Sequence, residues 1–441
     1  MSILPFMAFL MGPSLLGAFV LGFVKDHYAQ RVGVAFSIMT FVMSLTMTAS
    51  VDNLSLPFVL LTTSVIPLSM MIRGPQKPLY YSLFLLLESL LLGAFTSVNL
   101  LSFYVFFEAS VVPLFFLMGL WGGAGRLEAA LKFFLYTAAG SLLMLMGLLI
   151  LYHYQGTFDL KILQMIHFPL EIEKCLWILF FLAFSIKMPL WPLHTWLPDA
   201  HSEASTGVSM VLAGIVLKLG GYGMVRYLIP LFPTASHLYA PVVFALSSAG
   251  LIVMAVVAFR QTDMKRLVAY LSIAHMAIVT FGIFSHHPHG ITGAVVQMIS
   301  HGLTSSALFL LVGILYQSYG TYAITAYKGL LKTHARWSIL FILVGLSAMG
   351  FPLTSGFVGE FLVVLGLFNT YPLWASVAAV SFLLNGIVMI FLWHRILFGV
   401  ATEEEKPEIL HWNEGIILGA LILTIFVLGV KPGLIGGLGV L

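Results

Sequence analysis

The stretch FLAFSIKMPLWPLHTWLPDAHSEAST (181–206) begins as a membrane helix and then departs from one. A lysine, Lys187, stands in the apolar run, and Pro189, Pro192 and Pro198 follow it. A charged side chain at the centre of a bilayer costs about 2.5–3.5 kcal/mol on insertion scales. Proline lacks a backbone N–H and ends or kinks a helix. The stretch therefore predicts a helix that breaks at membrane depth beside a buried lysine.

The composition of the whole chain is that of a membrane protein. Of its 441 residues, 60% are hydrophobic and 8% are charged, whereas soluble domains carry about 25% charged residues. The single cysteine, Cys175, excludes disulfides, CxxC redox pairs and iron–sulfur clusters held by this chain alone. The segment HHPH (286–289) has no cysteine or acid nearby, so we interpret it as a solvated turn and expect no metal site. A soluble or secreted enzyme is excluded.

Apolar runs long enough to cross a bilayer recur along the sequence, since a spanning helix needs about 17–25 mostly apolar residues. The seventh of these runs, helix 7 (174–191), is predicted to continue past its break toward residue 200. The twelfth, helix 12 (337–352), is predicted to resume near Phe357 after Pro352. The predicted fold class is an all-α polytopic membrane protein with fourteen spans. These spans are 3–23, 32–50, 54–72, 79–98, 100–120, 129–153, 174–191, 207–229, 238–259, 265–284, 291–316, 337–352, 371–397 and 415–430.

Two short similarities indicate an internal repeat. ILYHYQGT (150–157) resembles ILYQSYGT (314–321) at an offset of 164, and MPLWPL (188–193) resembles FPLTSG (351–356) at an offset of 163. This offset maps helices 4–8 onto helices 9–13, and an odd number of helices inverts the second copy, as in many transporters. The predicted parts are helices 1–3, a first five-helix repeat, a second inverted five-helix repeat with helices 7 and 12 broken, and helix 14. Their bounds are 1–77, 78–230, 231–400 and 401–441.

The basic residues predict the orientation of the chain, because cytoplasmic loops carry an excess of Lys and Arg. Only Lys161, Lys174, Arg226 and Lys431 flank the even-numbered loops. Both termini are therefore expected on the outer side of the membrane, with the odd-numbered loops in the cytoplasm. The loops after odd-numbered helices hold Lys25, Arg31, Arg73, Lys77, Arg126, Lys132, Arg260, Lys265, Arg266, Lys328, Lys332, Arg336, Arg395 and Lys406.

A file of ionisable side chains is predicted inside the membrane. Such residues persist where they pair, face water or relay protons. Burial favours the neutral form of a lysine and a nearby carboxylate favours its charged form, so a moving carboxylate would switch the lysine between holding and releasing a proton. Histidine changes its charge near neutral pH. The candidate proton relay consists of Glu108, Lys187, Lys218, His275, His301 and Glu360.

Each candidate also has a structural interpretation. Lys187 or Lys218 could extend its ammonium to the interface, and Glu108 could serve only as an ion pair. His275 and His301 could be core residues whose ring nitrogens are hydrogen-bonded, and Glu360 could be exposed near an interface. For Glu88, in helix 4, a structural and a functional role stand equally open. A membrane scaffold whose buried charges only fix helix packing is therefore an alternative to transport.

The motifs around these residues resemble a known family, the antiporter-like membrane subunits of respiratory complex I. Within that family they are most similar to the chain M (subunit 4) type of NADH-quinone oxidoreductase, as is LSLPFVLLTTSVIPLSMM (54–71). The resemblance covers essentially the whole chain. It is carried by FYVFFEASVVPLFFLMGLWGG (103–123), KMPLWPLHTWLPDAHSEAST (187–206), LAGIVLKLGGYG (212–223), DMKRLVAYLSIAHM (263–276), QMISHGLTSSALF (297–309) and SGFVGEF (355–361).

The resemblance implies a role for each candidate. Glu108 would modulate the pump lysine, Lys187, and Lys218 would be the central lysine of the relay. The two histidines would continue the relay toward Glu360, where some relatives carry lysine. It also implies a fold of fourteen helices with inverted repeats.

The resemblance further implies a proton-translocating subunit without a redox site of its own. FMN, iron–sulfur clusters and quinone would belong to partner subunits. The partners would be antiporter-like siblings on both sides, lipids and protons, and no nucleic acid. The alternative is a subunit of a multi-chain Mrp-type sodium/proton antiporter or of a membrane-bound hydrogenase.

Overall fold

The computed structural model describes residues 3–400 and 409–435, which form helices and connecting loops without a β-sheet. Residues 401–408, which include the charged stretch EEEKPE (403–408) with Lys406, lie outside the described part. The helices are α1 Ile3–Val20, α2 Asp26–Thr46, α3 Ser55–Met70, α4 Pro78–Thr96, α5 Leu100–Ala109, α6 Val111–Trp121, α7 Arg126–Gln155, α8 Leu160–Leu163, α9 Leu170–Lys187, α10 Trp196–Glu203, α11 Thr206–Val211, α12 Lys218–Gly223, α13 Ile229–Leu231, α14 Pro233–Phe259, α15 Met264–Ile283, α16 Pro288–Tyr319, α17 Leu330–Thr333, α18 Ala335–Ala348, α19 Ser355–Thr370, α20 Pro372–Leu397 and α21 Trp412–Val430.

The helices have the length and composition of membrane spans. Within residues 3–400 and 409–435, ten helical runs are long and apolar enough to cross a bilayer. Shorter apolar helices accompany them at Phe9–Phe23, Ser55–Met70, Ala335–Ala348 and Ser355–Thr370. The all-α membrane fold predicted from the sequence is therefore confirmed, whereas the count of fourteen spans stays a prediction.

Both predicted helix breaks are present. α9 ends at Lys187, and no helix follows until α10 begins at Trp196. Met188 has an extended backbone, with φ −93° and ψ 93°, as the ring of the following Pro189 requires. In the same way α18 ends at Ala348 and α19 begins at Ser355, with Pro352 in the gap. The helix ends are therefore set by the prolines.

The predicted helix at 207–229 is irregular, which the sequence analysis did not foresee. Two π turns, Leu212–Val216 and Met224–Leu228, flank the short α12. A π turn widens the helix by one residue and is found frequently at functional sites. α12 begins at Lys218, so the lysine stands directly between two distortions of the backbone.

The helices form two compact units. One holds the chain up to Pro189 together with Glu203–Pro241, and the other holds Leu190–Ser202 together with the chain from Val242 onward. An apolar 18-residue stretch of the run Thr206–Leu231, in the first unit, is buried throughout, and so is such a stretch of α16, in the second unit. A helix that is apolar all round belongs at the centre of its unit. Lys218 and His301 therefore lie on the two central helices.

In the second unit α16 and α19 pack at very short range because both present glycines. A Cβ on Gly293 would lie 2.6 Å from the backbone nitrogen of Val363, and one on Gly366 would lie 2.5 Å from Gly290 Cα. A Cβ on Gly359 would lie 2.7 Å from the backbone of Gln297. The order of these contacts shows that the helices run antiparallel. Small residues allow this approach between membrane helices.

The HHPH segment begins α16. The Nδ1 atom of His287 accepts a hydrogen bond from the backbone N–H of His289 at 3.2 Å, and Pro288 is the first helical residue. Proline is suited to this position because the first N–H of a helix has no acceptor within the helix. His287 is half-buried. Because its side chain accepts a hydrogen bond from the first turn of α16, the segment is a helix cap as well as a turn.

The short α16–α19 distance predicts the effect of a single methyl group. Gly359→Ala should destabilise the protein by about 1–3 kcal/mol, since the methyl overlaps backbone atoms that cannot rotate away. Gly386→Ala in α20 is the matched control, because nothing lies within 4 Å of its added Cβ. Alanine favours a helix over glycine, so the control should melt at the same or a higher temperature. Equal melting temperatures of the two purified variants would contradict the packing described.

Candidate functional site

Lys187 ends α9 with its side chain buried. Only 1% of the residue is exposed, so it does not extend to the interface. Within residues 3–400 and 409–435, its Nζ has no hydrogen-bonding partner. It lies 4.9 Å from the centre of the Phe107 ring, a cation–π distance. An ammonium held by a ring face alone can lose its proton without breaking a hydrogen bond.

Glu108 follows Phe107 and lies on a second helix irregularity. α5 ends at Ala109 and α6 begins at Val111, and Pro113 supplies no N–H for the carbonyl of Ala109. The half-buried Glu108 carboxylate accepts a hydrogen bond from Ser141 of α7. It is the carboxylate that acts electrostatically on Lys187. The expected partnership of the two is therefore electrostatic and involves no direct hydrogen bond.

Lys218 is fully buried at the start of α12. Its Nζ donates a hydrogen bond to the carbonyl of Ala213, in the preceding π turn. A π turn changes the register of backbone hydrogen bonds, and here it turns a carbonyl toward a buried ammonium. The distortion and the lysine are thus two parts of one local arrangement.

The helix that carries Lys218 packs on the end of the helix that carries Lys187. A Cβ on Gly220 would lie 2.5 Å from the Phe184 carbonyl oxygen and 2.6 Å from the Met188 nitrogen. Only glycine fits at such a distance. Gly220 therefore brings the backbone of α12 against the residue that follows Lys187.

In the second unit three sequence-predicted residues lie together. His275 of α15 and Glu360 of α19 are buried, and Nδ1 of the histidine lies 3.1 Å from Oε1 of the carboxylate. The ring of His301, on α16, lies 5.5 Å from the ring of His275. Ser381 of α20 donates to the other carboxylate oxygen at 3.2 Å. The interpretation of Glu360 as an exposed residue is therefore wrong.

A small cavity adjoins the two histidines. Its volume is about 20 Å³, and His275, Gln297, His301, Ser300 and Thr304 are among its lining residues. A volume of about 10–15 Å³ on this measure accommodates one water molecule when polar groups surround it. The cavity is therefore large enough for one water molecule, and side chains of its lining can offer that molecule hydrogen bonds.

Glu88 lies apart from these groups, on α4. It is fully buried, and Ser37 of α2 donates to its Oε1 at 3.0 Å. No hydrogen bond reaches Oε2 from residues 3–400 or 409–435. The contact joins two helices of the first unit, as polar side chains do in membrane proteins.

Several site residues were missed from the sequence. Ser141 and Gln297 are common polar residues in apolar helices and have no local signature that separates them from packing contacts. The π turns beside Lys218 have one weak signal, the glycines of KLGGYG (218–223). Among the described ranges no three His, Cys, Asp or Glu side chains meet as possible metal ligands.

The chain matches a family model described as "NADH:quinone oxidoreductase/Mrp antiporter, TM" over residues 97–385. NADH-quinone oxidoreductase subunit M of Rickettsia prowazekii is 47% identical to it over 357 residues, which cover 80% of this chain and 73% of the relative. The chain belongs to the subunit M family of NADH-quinone oxidoreductase.

Solved structures place this subunit M family member in a wider fold group. A chain of respiratory complex I from Thermus thermophilus with bound NADH is 30% identical, with a TM-score of 0.90 over 98% of this chain and 97% of that one. A chain of the Mrp complex from Dietzia sp. DQ12-45-1b is 19% identical, with a TM-score of 0.88 over 99% and 96%. The second similarity concerns the fold alone.

The burial of Lys187 predicts an unusual stability effect. Lys187→Met keeps the length of the side chain and removes a polar group that has no hydrogen bond. It should therefore stabilise the protein by about 1–3 kcal/mol. A lysine that only fixed helix packing would instead destabilise the protein when lost. Thermal melting of the purified protein distinguishes the two.

The control for this variant is Lys174→Met in the same helix. Lys174 forms a surface ion pair with Glu171 at 2.8 Å. Surface pairs of this kind contribute little to stability, so the control should melt like the unaltered protein. A loss of stability in Lys187→Met alone would contradict the prediction.

Proposed function

We propose that this chain is a proton-translocating membrane-arm subunit of NADH-quinone oxidoreductase. The observation that carries the proposal is the buried ammonium of Lys187, which has no hydrogen bond within the described residues and stands at a broken helix end. A charge held in this way adds no stability to the fold. Together with membership of the subunit M family, it is best explained as a proton carrier.

In the first unit we assign the switching step to Glu108 and Lys187. When the Glu108 charge acts on Lys187, the ammonium keeps its proton. When that charge is withdrawn, burial favours the neutral amine, and the proton leaves. Lys218 is the next carrier that we propose, because Gly220 fixes its helix against the end of α9. The carbonyl of Ala213 holds the Lys218 ammonium while it is charged.

In the second unit we assign the transfer to His275, His301 and Glu360. The 3.1 Å distance between Nδ1 of His275 and Oε1 of Glu360 allows direct proton transfer. The adjoining cavity would let a water molecule connect the two histidines. We propose uptake from the cytoplasm and release outward by way of Glu360.

The redox chemistry belongs to other subunits in this proposal. FMN, iron–sulfur clusters and quinone would be held by partner chains, and this chain would respond to their reaction by changing its protonation. Two antiporter-like siblings would flank it in the complex. Apolar side chains exposed on α2, α7 and α20 would then contact siblings or lipid.

We propose the four-part organisation 1–77, 78–230, 231–400 and 401–441, with inverted repeats in the middle two parts. Equivalent backbone features 164 residues apart support it. α7 and α16 each end before a left-handed glycine, Gly156 and Gly320. The N–H of Leu100 bonds to the Phe158 carbonyl at 3.0 Å, and that of Met264 bonds to the Tyr322 carbonyl at 2.9 Å.

We also propose a bacterial inner membrane as the location, with both termini on the outer side. The support is the excess of Lys and Arg in the loops that follow the odd-numbered spans among the fourteen predicted from the sequence. The Mrp-type antiporter alternative shares the family model and the fold. The 47% identity to a subunit M chain favours NADH-quinone oxidoreductase over it.

Proton pumping by the intact complex in membrane vesicles tests the function. Lys187→Ala and Glu360→Gln should each slow the step that the residue carries by about a hundred-fold or more, since a positioned acid or base contributes at least that much. NADH-driven acidification, followed with a pH-sensitive dye, should fall while the complex still assembles.

Glu171→Gln is the matched control for the carboxylate variant, because Glu171 is exposed on α9. It should pump normally. If Lys187→Ala and Glu360→Gln both assemble and pump at the normal rate, the relay is disproved and the scaffold interpretation takes its place.

A further inference from the structure

Gln297 is a buried polar residue that the sequence analysis did not select. It lies on α16, and its side-chain Nε2 is 3.2 Å from Oε1 of Glu360 and 3.3 Å from Nδ1 of His275. The histidine and the carboxylate are themselves 3.1 Å apart. The three groups therefore form a closed triangle in which each lies within hydrogen-bond distance of the other two.

The chemistry of the triangle depends on the number of N–H groups that face its centre. A side-chain amide has two N–H donors on one nitrogen. Before transfer, the N–H at Nδ1 of His275 donates to Glu360. Transfer breaks this N–H bond and forms an O–H bond on Glu360, which then donates back to Nδ1. Either way, one proton lies between the two groups.

The arrangement of His275 and Glu360 is least stable after Glu360 has passed its proton onward. A lone pair on Nδ1 then faces an ionised carboxylate at close range, and neither group can donate to the other. Two buried acceptors in contact destabilise each other unless donors reach both. The two N–H groups of Gln297 can meet this need, one directed to each acceptor.

The fold fixes the amide in this position. The backbone of Gln297 packs on Gly359, where even a Cβ would lie 2.7 Å away, so the residue beside Glu360 cannot drift from it. Ser381 holds the other carboxylate oxygen at 3.2 Å. The titratable group that faces His275 from α16 is His301, and α18 contributes the Ser347 hydroxyl to the same cavity.

We propose that Gln297 is a positioning residue for proton transfer between His275 and Glu360, stabilising the state in which neither group carries the exchanged proton. The inference rests on the proposed function of this site. In this proposal the Gln297 amide passes on no proton. Its two N–H groups donate hydrogen bonds to His275 and Glu360 when neither of them carries the exchanged proton.

Gln297→Met tests the inference, because methionine has nearly the same shape and no donor. The variant complex should assemble, and its initial rate of NADH-driven proton pumping in vesicles should fall about ten-fold or more, as expected for loss of a hydrogen bond to a charged group. Gln317→Met is the matched control on the same helix, since Gln317 is exposed. It should pump normally.

An infrared measurement separates positioning from packing. The carboxyl band of Glu360 is assigned in redox-induced difference spectra of the complex by its absence in Glu360→Gln. It should shift in Gln297→Met and stay in place in Gln317→Met. Gln297→Glu gives a second variant of equal length with at most one donor, and it should also pump poorly. A packing role predicts that it pumps normally.

The outcomes distinguish the inference from the proposed function. Normal pumping and an unshifted band in Gln297→Met, with pumping lost in Glu360→Gln, overturn the inference alone. Normal pumping in Glu360→Gln overturns the function proposed for this site. If Gln297→Met does not assemble, normal pumping by Gln297→Glu overturns the inference and poor pumping with a shifted band supports it.

Discussion

The structure depends on one constraint: a bilayer offers no water to polar groups, so each charge and each open backbone group must be enclosed by protein. In this chain the two kinds of group occur together. Lys187 stands at the Pro189 break, and Lys218 lies between two π turns. Glu108 precedes Pro113 by little more than a turn, and Glu360 follows the Pro352 break. Irregular helix segments and buried charges must both be surrounded by protein. Because they lie next to each other, the same packed side chains surround both.

The enclosure is built by backbone contact at glycines. Gly220 brings α12 against the end of α9, and Gly359 brings α16 against α19 beside Glu360. Side chains cannot intervene at these points, so the polar atoms of neighbouring helices are held at fixed distances. In a site that transfers protons, rates depend steeply on such distances. The glycines thus connect the packing of the fold to the chemistry of the site.

The sequence predicted the features that have local signatures. A charge in an apolar run and a proline after it are visible without a structure, so the burial of Lys187 and both helix breaks could be predicted. The triangle of His275, Gln297 and Glu360 was not predicted, because it joins three helices and its amide looks like any other polar residue. The π turns were missed for a related reason. The π turns arise from tertiary contacts. The buried ammonium of Lys218 and the close packing of its helix stabilise a backbone conformation that the local sequence does not favour.

The two sites differ in how fully their charges are satisfied, and this difference has a physical consequence. Lys187 has a ring face and no hydrogen bond within the described residues, so few contacts hold its ammonium in place. Glu360 receives hydrogen bonds from an imidazole, an amide and a hydroxyl. These three groups, on α15, α16 and α20, hold the carboxylate in one position. In the proposed function, a lysine without hydrogen bonds suits a switch, and a carboxylate held by several donors suits a proton acceptor. In the proposed function, this contrast in hydrogen bonding is what assigns different tasks to Lys187 and Glu360.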